Sequence, residues 1–285
     1  MSKIKRNVVN VLLLCMVLIG VFLIPQKTYA KDSDFVIENG VLKEYKGHSK
    51  NVVIPEGVTT IEAGVFGKLG NDKNYNSYFP FIESITIPSS VKKIKMVYQL
   101  DTFGGTNLKK ITVSKNNKYF CSVKGVLYDK KKKTLIRYPR GLHKMVPIPK
   151  TVVTIGEGAF CSCDIKKFKI PKTIKKIDTG AFAYFSFGKG IDLTIPNSVK
   201  SIGVGAFFNS GIKNITLSNK MKEIPMYSFS YCFELENITV PKSVKKIDSW
   251  AFQRVMDNIT VKGYKGSYAQ SYAKKNNIKF KEIKK

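Results

Sequence analysis

Among the residues able to do chemistry, only the lysines keep a regular spacing. Lys92, Lys93, Lys175, Lys176, Lys200, Lys222, Lys245 and Lys246 each fall between a Val-type and an Ile-type apolar position. A second set, Lys109, Lys110, Lys166, Lys167 and Lys213, sits just before an extended apolar stretch. If the stretches stack as parallel strands, each set becomes a ladder with about 5 Å between rungs. Like charges that close repel unless counterions or a polyanion lie beside them. The eight lysines of the first set are therefore candidate ligand-binding residues for a linear anionic polymer. A solvated, lysine-rich outer face accounts for the same pattern. The run Lys130 to Lys133 reads as a solvated hairpin turn.

Other chemistries lack their residues. The chain has two histidines, His48 and His143, and no His-rich metal site can be built from them. It contains no Gly-x-Ser-x-Gly elbow, no His-Glu-x-x-His and no phosphate loop of the Gly-x-x-x-x-Gly-Lys type. Carboxylates are scattered, with no motif that sets a pair across a cleft. No catalytic residue, metal ligand or cofactor is assigned, and the chain is not read as an enzyme. Cys163 and Cys232 each lie three residues after a recurring Phe and three repeat units apart. That puts them roughly 14 Å apart at strand spacing, while a disulfide needs Cα atoms within about 7 Å. Cys161 and Cys163 are too close in the chain to bridge well. The cysteines read as small apolar core fillers.

The composition is that of a folding chain: 285 residues, 43% hydrophobic, 24% charged, net charge +29. Residues 1–30 read as a secretory signal peptide. Lys3, Lys5 and Arg6 precede an apolar run from Val8 to about Ile24, and Thr28-Tyr29-Ala30 offers a small-residue cleavage site. Cleavage there removes four cations and no acids, so the mature chain keeps a charge of +25 over 255 residues. No stable membrane span remains after cleavage. Such basicity favours polyanionic partners. Nucleic acid fits the charge but not the export.

The elements that would position the lysines recur. Ile-Pro or Val-Pro pairs begin at 54, 87, 148, 170, 195 and 240, with Ser replacing Pro at 113–114 and 217–218. Phe160, Phe182, Phe207, Phe229 and Phe252 step by 22, 25, 22 and 23 residues in the same phase. A unit this short cannot bury its own apolar side; stacked units share one continuous core, which makes a solenoid. Each unit holds two short extended pieces, such as 235–240, with Ile238 and Val240 alternating with polar residues, and 244–247. A Pro closes the first strand. Gly stands two residues before the Phe at Gly64, Gly158, Gly180 and Gly205, where a turn needs backbone freedom. Tyr227 and Trp250 break that column. Asn-Ile-Thr triplets at Asn214, Asn237 and Asn258 match a glycosylation acceptor, but recur in repeat phase, which explains them without glycosylation.

The pattern Leu-x-x-Ile-x-Ile-Pro-x-x-Val-x-x-Ile-x-x-x-Ala-Phe, with Ser243-Val244-Lys245-Lys246-Ile247 and the Gly-Ala-Phe triplets at 158–160, 180–182 and 205–207, resembles the BspA-like leucine-rich repeat of bacterial surface proteins. The resemblance spans about residues 35–283. It implies a β-rich solenoid of short parallel strands, export, and a role in adhesion or surface binding. The expected organisation is a signal peptide over 1–30, an N-terminal cap over 31–53, a repeat solenoid over 54–262 and a C-terminal cap over 263–285. Within the solenoid an inserted β-hairpin over 117–141 turns at 129–133. The C-terminal cap is a short helix N-capped by Ser267, then a strand at 278–283. Residues 67–83 make an aromatic-rich insertion, and the copy near 96–103 is degenerate.

Two functions follow. One is an exported, non-catalytic binding scaffold whose partner is a host or matrix protein or an anionic surface polymer. The other is an envelope structural protein held on the producer's own anionic wall polymers. Either places the protein outside the cell, secreted or attached noncovalently to the surface.

Overall fold

A computed structural model describes residues 29–66, 82–97, 102–103, 107–186 and 189–284. The signal peptide up to residue 28 and nearly all of the 67–83 insertion lie outside the described residues. The chain winds as a solenoid whose coils contribute a first and a second strand, except that, among the described residues, the coils carrying Thr154–Ile155 and Lys176–Ile177 have no first strand. First strands form two parallel sheets. One holds Asn51–Val53, Ser84–Ile87 and Lys110–Val113. The other holds Ile191–Thr194, Ile212–Thr216, Asn237–Thr239, Thr260–Gly263 and Lys279–Glu282. Second strands are mostly two residues long, such as Thr154–Ile155, Lys176–Ile177 and Ser201–Ile202, and also pair in parallel.

The sequence dictates this locally. In Ser84–Ile87 the two isoleucines are buried and Ser84 and Thr86 are not, the alternation of a strand with one face on a core. Pro88 follows and cannot donate to the ladder, so the strand stops. Gly158, Gly180 and Gly205 hold φ of 60°, 57° and 59°, the left-handed region. Tyr227 takes the same conformation at φ 58°, paying roughly 1–2 kcal/mol for its Cβ.

The Phe column is a continuous stack. Phe160, Phe182, Phe207, Phe229 and Phe252 follow one another at centroid distances of 5.1, 5.2, 5.5 and 5.6 Å, with interplanar angles no larger than 12°. Tyr138 begins the stack 5.0 Å from Phe160, and Tyr272 of the C-terminal helix closes it 6.1 Å from Phe252. That helix, Tyr268–Lys275, is N-capped by Ser267, whose side chain accepts from the Gln270 N–H, and it buries Ala269, Tyr272 and Ala273.

The inserted hairpin is present, with Val126–Asp129 and Thr134–Arg137 joined by the turn after Asp129, and a third strand extends it. Phe120–Val123, Val126–Asp129 and Thr134–Arg137 form a three-stranded antiparallel meander. Lys124 and Gly125, both at positive φ (49° and 87°), make the tight turn that joins the additional strand. Thr134–Arg137 then pairs in parallel with Thr154–Ile155, so the meander's last strand is itself a solenoid strand. Asn117 anchors its start: buried, it donates to the carbonyls of Pro88 and Val91 and accepts from the N–H groups of Tyr119 and Phe120.

The meander also divides the core, which is not continuous as the repeat pattern implies. Leu127 packs with the N-terminal coils around Leu42, Phe66, Ile85 and Phe103. Its neighbours Val126 and Tyr128 pack with the C-terminal coils that contain the Phe stack. One strand is buried on both faces because its successive side chains point in opposite directions.

Three cysteines sit as fillers, while Cys121 is only half-buried and donates to the Asp129 carbonyl in the meander. Cys161, Cys163 and Cys232 are buried. Cys163 donates to the Tyr138 carbonyl and Cys232 to that of Phe207, equivalent contacts three coils apart. Phe185 and Ser210 hold the same position in the coils between. Of the Asn-Ile-Thr triplets, Asn214 and Asn237 are true register partners, but Asn237 faces Thr260 on its other side. Asn258 therefore lies two residues out of phase, in the 3-10 turn Met256–Asn258.

Phe182→Ala removes the middle of the stack, and urea unfolding should show a loss of about 3–5 kcal/mol. Burial pushes the Cys232 thiol up from 9.0 to about 11. Its folded pKa lies above its unfolded value, so its contribution is complete below about pH 9 and fades as pH climbs through about 11. Denaturation followed from pH 8 to 11 should show a steeper alkaline fall in the native sequence than in Cys232→Ala.

Candidate functional site

The second-strand face places all eight candidate lysines in solvent. It does not bring them together as one site. Lys175, Lys200, Lys222 and Lys245 hold one position in four successive coils. The Lys200 N–H donates to the Lys175 carbonyl, and the Lys245 N–H to that of Lys222. Between Lys200 and Lys222 the second strands do not pair, but the adjoining turn stays bonded through Gly205 N–H to the Met226 carbonyl. Among the described residues none of these four ammonium groups has a carboxylate within 4 Å.

The next column is mixed. Lys176 faces Thr154 and Ser201, and Lys246 faces Glu223. Lys176 also pairs with Asp178 at 3.1 Å, and Lys246 with Glu223 at 3.7 Å. Lys92 and Lys93 belong to the N-terminal coils, where Lys93 faces Thr60, and the meander separates them from the rest. The lysine column is thus four residues long, as two bonded pairs with unpaired second strands between Lys200 and Lys222. Neighbouring unit charges about 5 Å apart in water repel by about 0.8 kcal/mol, and screening at physiological salt acts over about 8 Å. An anionic chain lying along the column relieves that repulsion at several rungs at once.

The second lysine set behaves differently. Glu83 sits between Lys50 and Lys109, at 3.8 and 3.2 Å, and Glu236 pairs with Lys213 at 3.2 Å. Signs alternate up this column, so it offers little net field. Lys166 and Lys167 escape that pattern. With Lys169 and Lys189 they line an open cavity of about 610 Å³, together with Met145, Phe168, Gly190, Ile191 and Asp192. Repeat phase alone hides this site, because it treats 166–170 as an ordinary strand. Two residues mark it: Pro147, a non-donor inside a first-strand segment, and Phe168, where other coils carry Val146, Leu193, Ile215, Ile238 or Val261.

Among the described residues no group of three or more His, Cys, Asp or Glu is placed to hold a metal ion. Burial raises the Tyr45, Tyr138 and Tyr272 hydroxyls, the last to about 12, and none of these lines the cavity. The shifted carboxylates, exposed Glu56 and half-buried Glu62, move the other way. Ser89 and Ser90 N–H and hydroxyl groups hold Glu56 below its usual value, and Lys95 does the same for Glu62. These are links between adjacent coils. No helix of the described residues is long and apolar enough to cross a membrane.

Solved structures share the fold. A leucine-rich repeat protein from Eubacterium ventriosum is 23% identical, with 72% of this chain and 70% of that one covered at a TM-score of 0.54. The pneumococcal vaccine antigen PcpA is 20% identical over 84% of this chain and 69% of its own, at 0.55. A leucine-rich cell surface protein from Faecalibacterium prausnitzii is 21% identical over 83% and 60%, at 0.53. No curated protein matches. The family model for the BspA type leucine-rich repeat region matches in six copies, over residues 36–123, 142–260 and 184–284. With nearly all of the described coils inside those matches, the chain belongs to the BspA-type leucine-rich repeat family.

Proposed function

We propose that the protein is an exported, non-catalytic repeat scaffold that binds an anionic surface polymer along the Lys175, Lys200, Lys222 and Lys245 column. The observation that carries this reading is the column itself: four exposed ammonium groups at one repeat position of successive coils, without carboxylate partners among the described residues, beside a column in which Lys176 and Lys246 are paired. Parallel stacking sets Lys175 beside Lys200 and Lys222 beside Lys245 at strand spacing, so a flexible chain of closely spaced anions meets several cations without reorganising the protein. Export rests on the signal-like first thirty residues. The surface setting is supported by the described location of the Faecalibacterium relative and the antigen character of PcpA.

Binding through four ion contacts is salt-dependent. By the behaviour of flexible single-stranded polyanions, raising salt from about 50 to about 200 mM should weaken it about 50-fold. The measurement is affinity of the purified protein for polyglycerol phosphate and dextran sulfate across that series. Changing all four lysines to Gln should lower affinity at least tenfold and flatten the salt slope. Changing the carboxylate-paired Lys109 and Lys213 should do neither. Tight binding that ignores both salt and the four-lysine change would overturn the proposal.

A further inference from the structure

The cavity lined by Lys166, Lys167, Lys169 and Lys189 lies where the first-strand face of the solenoid is interrupted. Ile191–Thr194 is the outermost strand of its five-stranded sheet. In a continuous solenoid the preceding coil, residues 166–170, would pair with it. Among the described residues the backbone groups of 166–170 make no backbone hydrogen bond to it or to any other segment. An outermost strand leaves alternate N–H and C=O groups open. Here that open edge is part of the wall of the cavity.

The gap has a cause in the core. Phe168 packs 5.0 Å from Phe160 and 5.3 Å from both Phe182 and Phe185. Phe185 occupies the position held by Cys163, Ser210 and Cys232 in other coils. Two extra rings are therefore packed beside the Phe stack of this coil and the one before it, where other coils carry smaller side chains. On the far side Pro147 removes a donor from the coil before. The segment 166–170 is consequently held by its buried Phe168 and Ile170, not by a ladder.

We infer that this gap is a strand-addition site for an extended acidic segment of another protein, which would pair with the open edge of Ile191–Thr194. Charge selects the occupant. Lys166, Lys167 and Lys169 are exposed and have no carboxylate within 4 Å among the described residues. Lys189 is the one that is paired, with Asp164 at 3.9 Å. Met145, Phe168 and Ile191 give an apolar floor for inward-facing side chains. Asp192 refines the register. It is the last member of a side-chain ladder in which Asn237 donates to Asn214 at 2.7 Å and Asn214 to Asp192 at 2.6 Å. Its carboxylate can accept once more from an incoming amide or hydroxyl. The matching segment alternates: an Asn, Ser or Thr facing Asp192, acidic residues beside it facing the lysines, and apolar residues between. Main-chain bonds supply affinity in such additions and side-chain pockets supply selectivity.

The test uses the purified full chain and a fluorescent peptide, Glu-Val-Asn-Val-Glu with blocked termini, read by anisotropy. The peptide should bind. The double change Lys167→Glu, Lys189→Glu, at exposed positions, should weaken it at least tenfold. The same peptide with its alternate backbone amides N-methylated should lose at least tenfold as well, because it keeps the charges but cannot complete a ladder. Equal binding of the N-methylated peptide would overturn strand addition in favour of a simple anion cleft. Dextran sulfate showing the same sensitivity to the Lys167 and Lys189 changes as the peptide would likewise overturn it. The variant lacking Lys175, Lys200, Lys222 and Lys245 should bind the peptide normally. Loss of peptide binding there would overturn this site while leaving the polymer-binding column intact as a separate question.

Discussion

Face-to-face stacking of one phenylalanine per coil sets the geometry on which the rest depends. Rings of adjacent coils lie 5.1 to 5.6 Å apart and nearly parallel through Phe160, Phe182, Phe207, Phe229 and Phe252. That spacing is close to the 4.7–4.9 Å that parallel strands need. The two requirements reinforce each other, so two-residue second strands persist although pairs that short have little stability of their own. Every surface property that repeats, including the columns of charge, inherits this spacing.

A solenoid must also protect its ends and its irregular coils. Tyr272, carried by a capped helix, covers the last ring of the stack, and Lys279–Glu282 presents a charged outer edge. The meander does the reverse in the interior. Its strand Val126–Asp129 is buried on both faces and turns one solenoid into two packed stacks. The first-strand face stays interrupted from there to Ile191, and the lysine-lined cavity lies at the end of that interruption. The large side chains Phe168 and Phe185 stand where the first-strand ladder is missing, while the second strands of the same coils stay paired.

Charge is organised by the partners that stacking supplies. In the column of Lys50, Glu83 and Lys109 the signs alternate, and the ions satisfy one another. In the column of Lys175, Lys200, Lys222 and Lys245 they do not. Both columns look alike as lysine-rich stretches, and the exposed pairs of the first contribute little stability. What separates them is whether a neighbouring coil, more than twenty residues away in the chain, offers a carboxylate at the same height.

Periodicity in the sequence was enough to determine the coil, because the spacing of Pro and Phe can be met only by stacking. It also determined the strand-ending prolines, the left-handed glycine turns and the Ser267-capped helix, since each depends on the conformational limits of a residue and its near neighbours. The tertiary structure decided the rest. It divided the core at Leu127, placed Asn258 out of register, and gave Tyr227 but not Trp250 the glycine conformation. It reduced the eight in-phase lysines to an unpaired column of four, and it opened a gap beside Phe168. These outcomes turn on which side chains meet across coils, and a repeat pattern specifies the phase of a residue but not the volume or charge of what stands opposite.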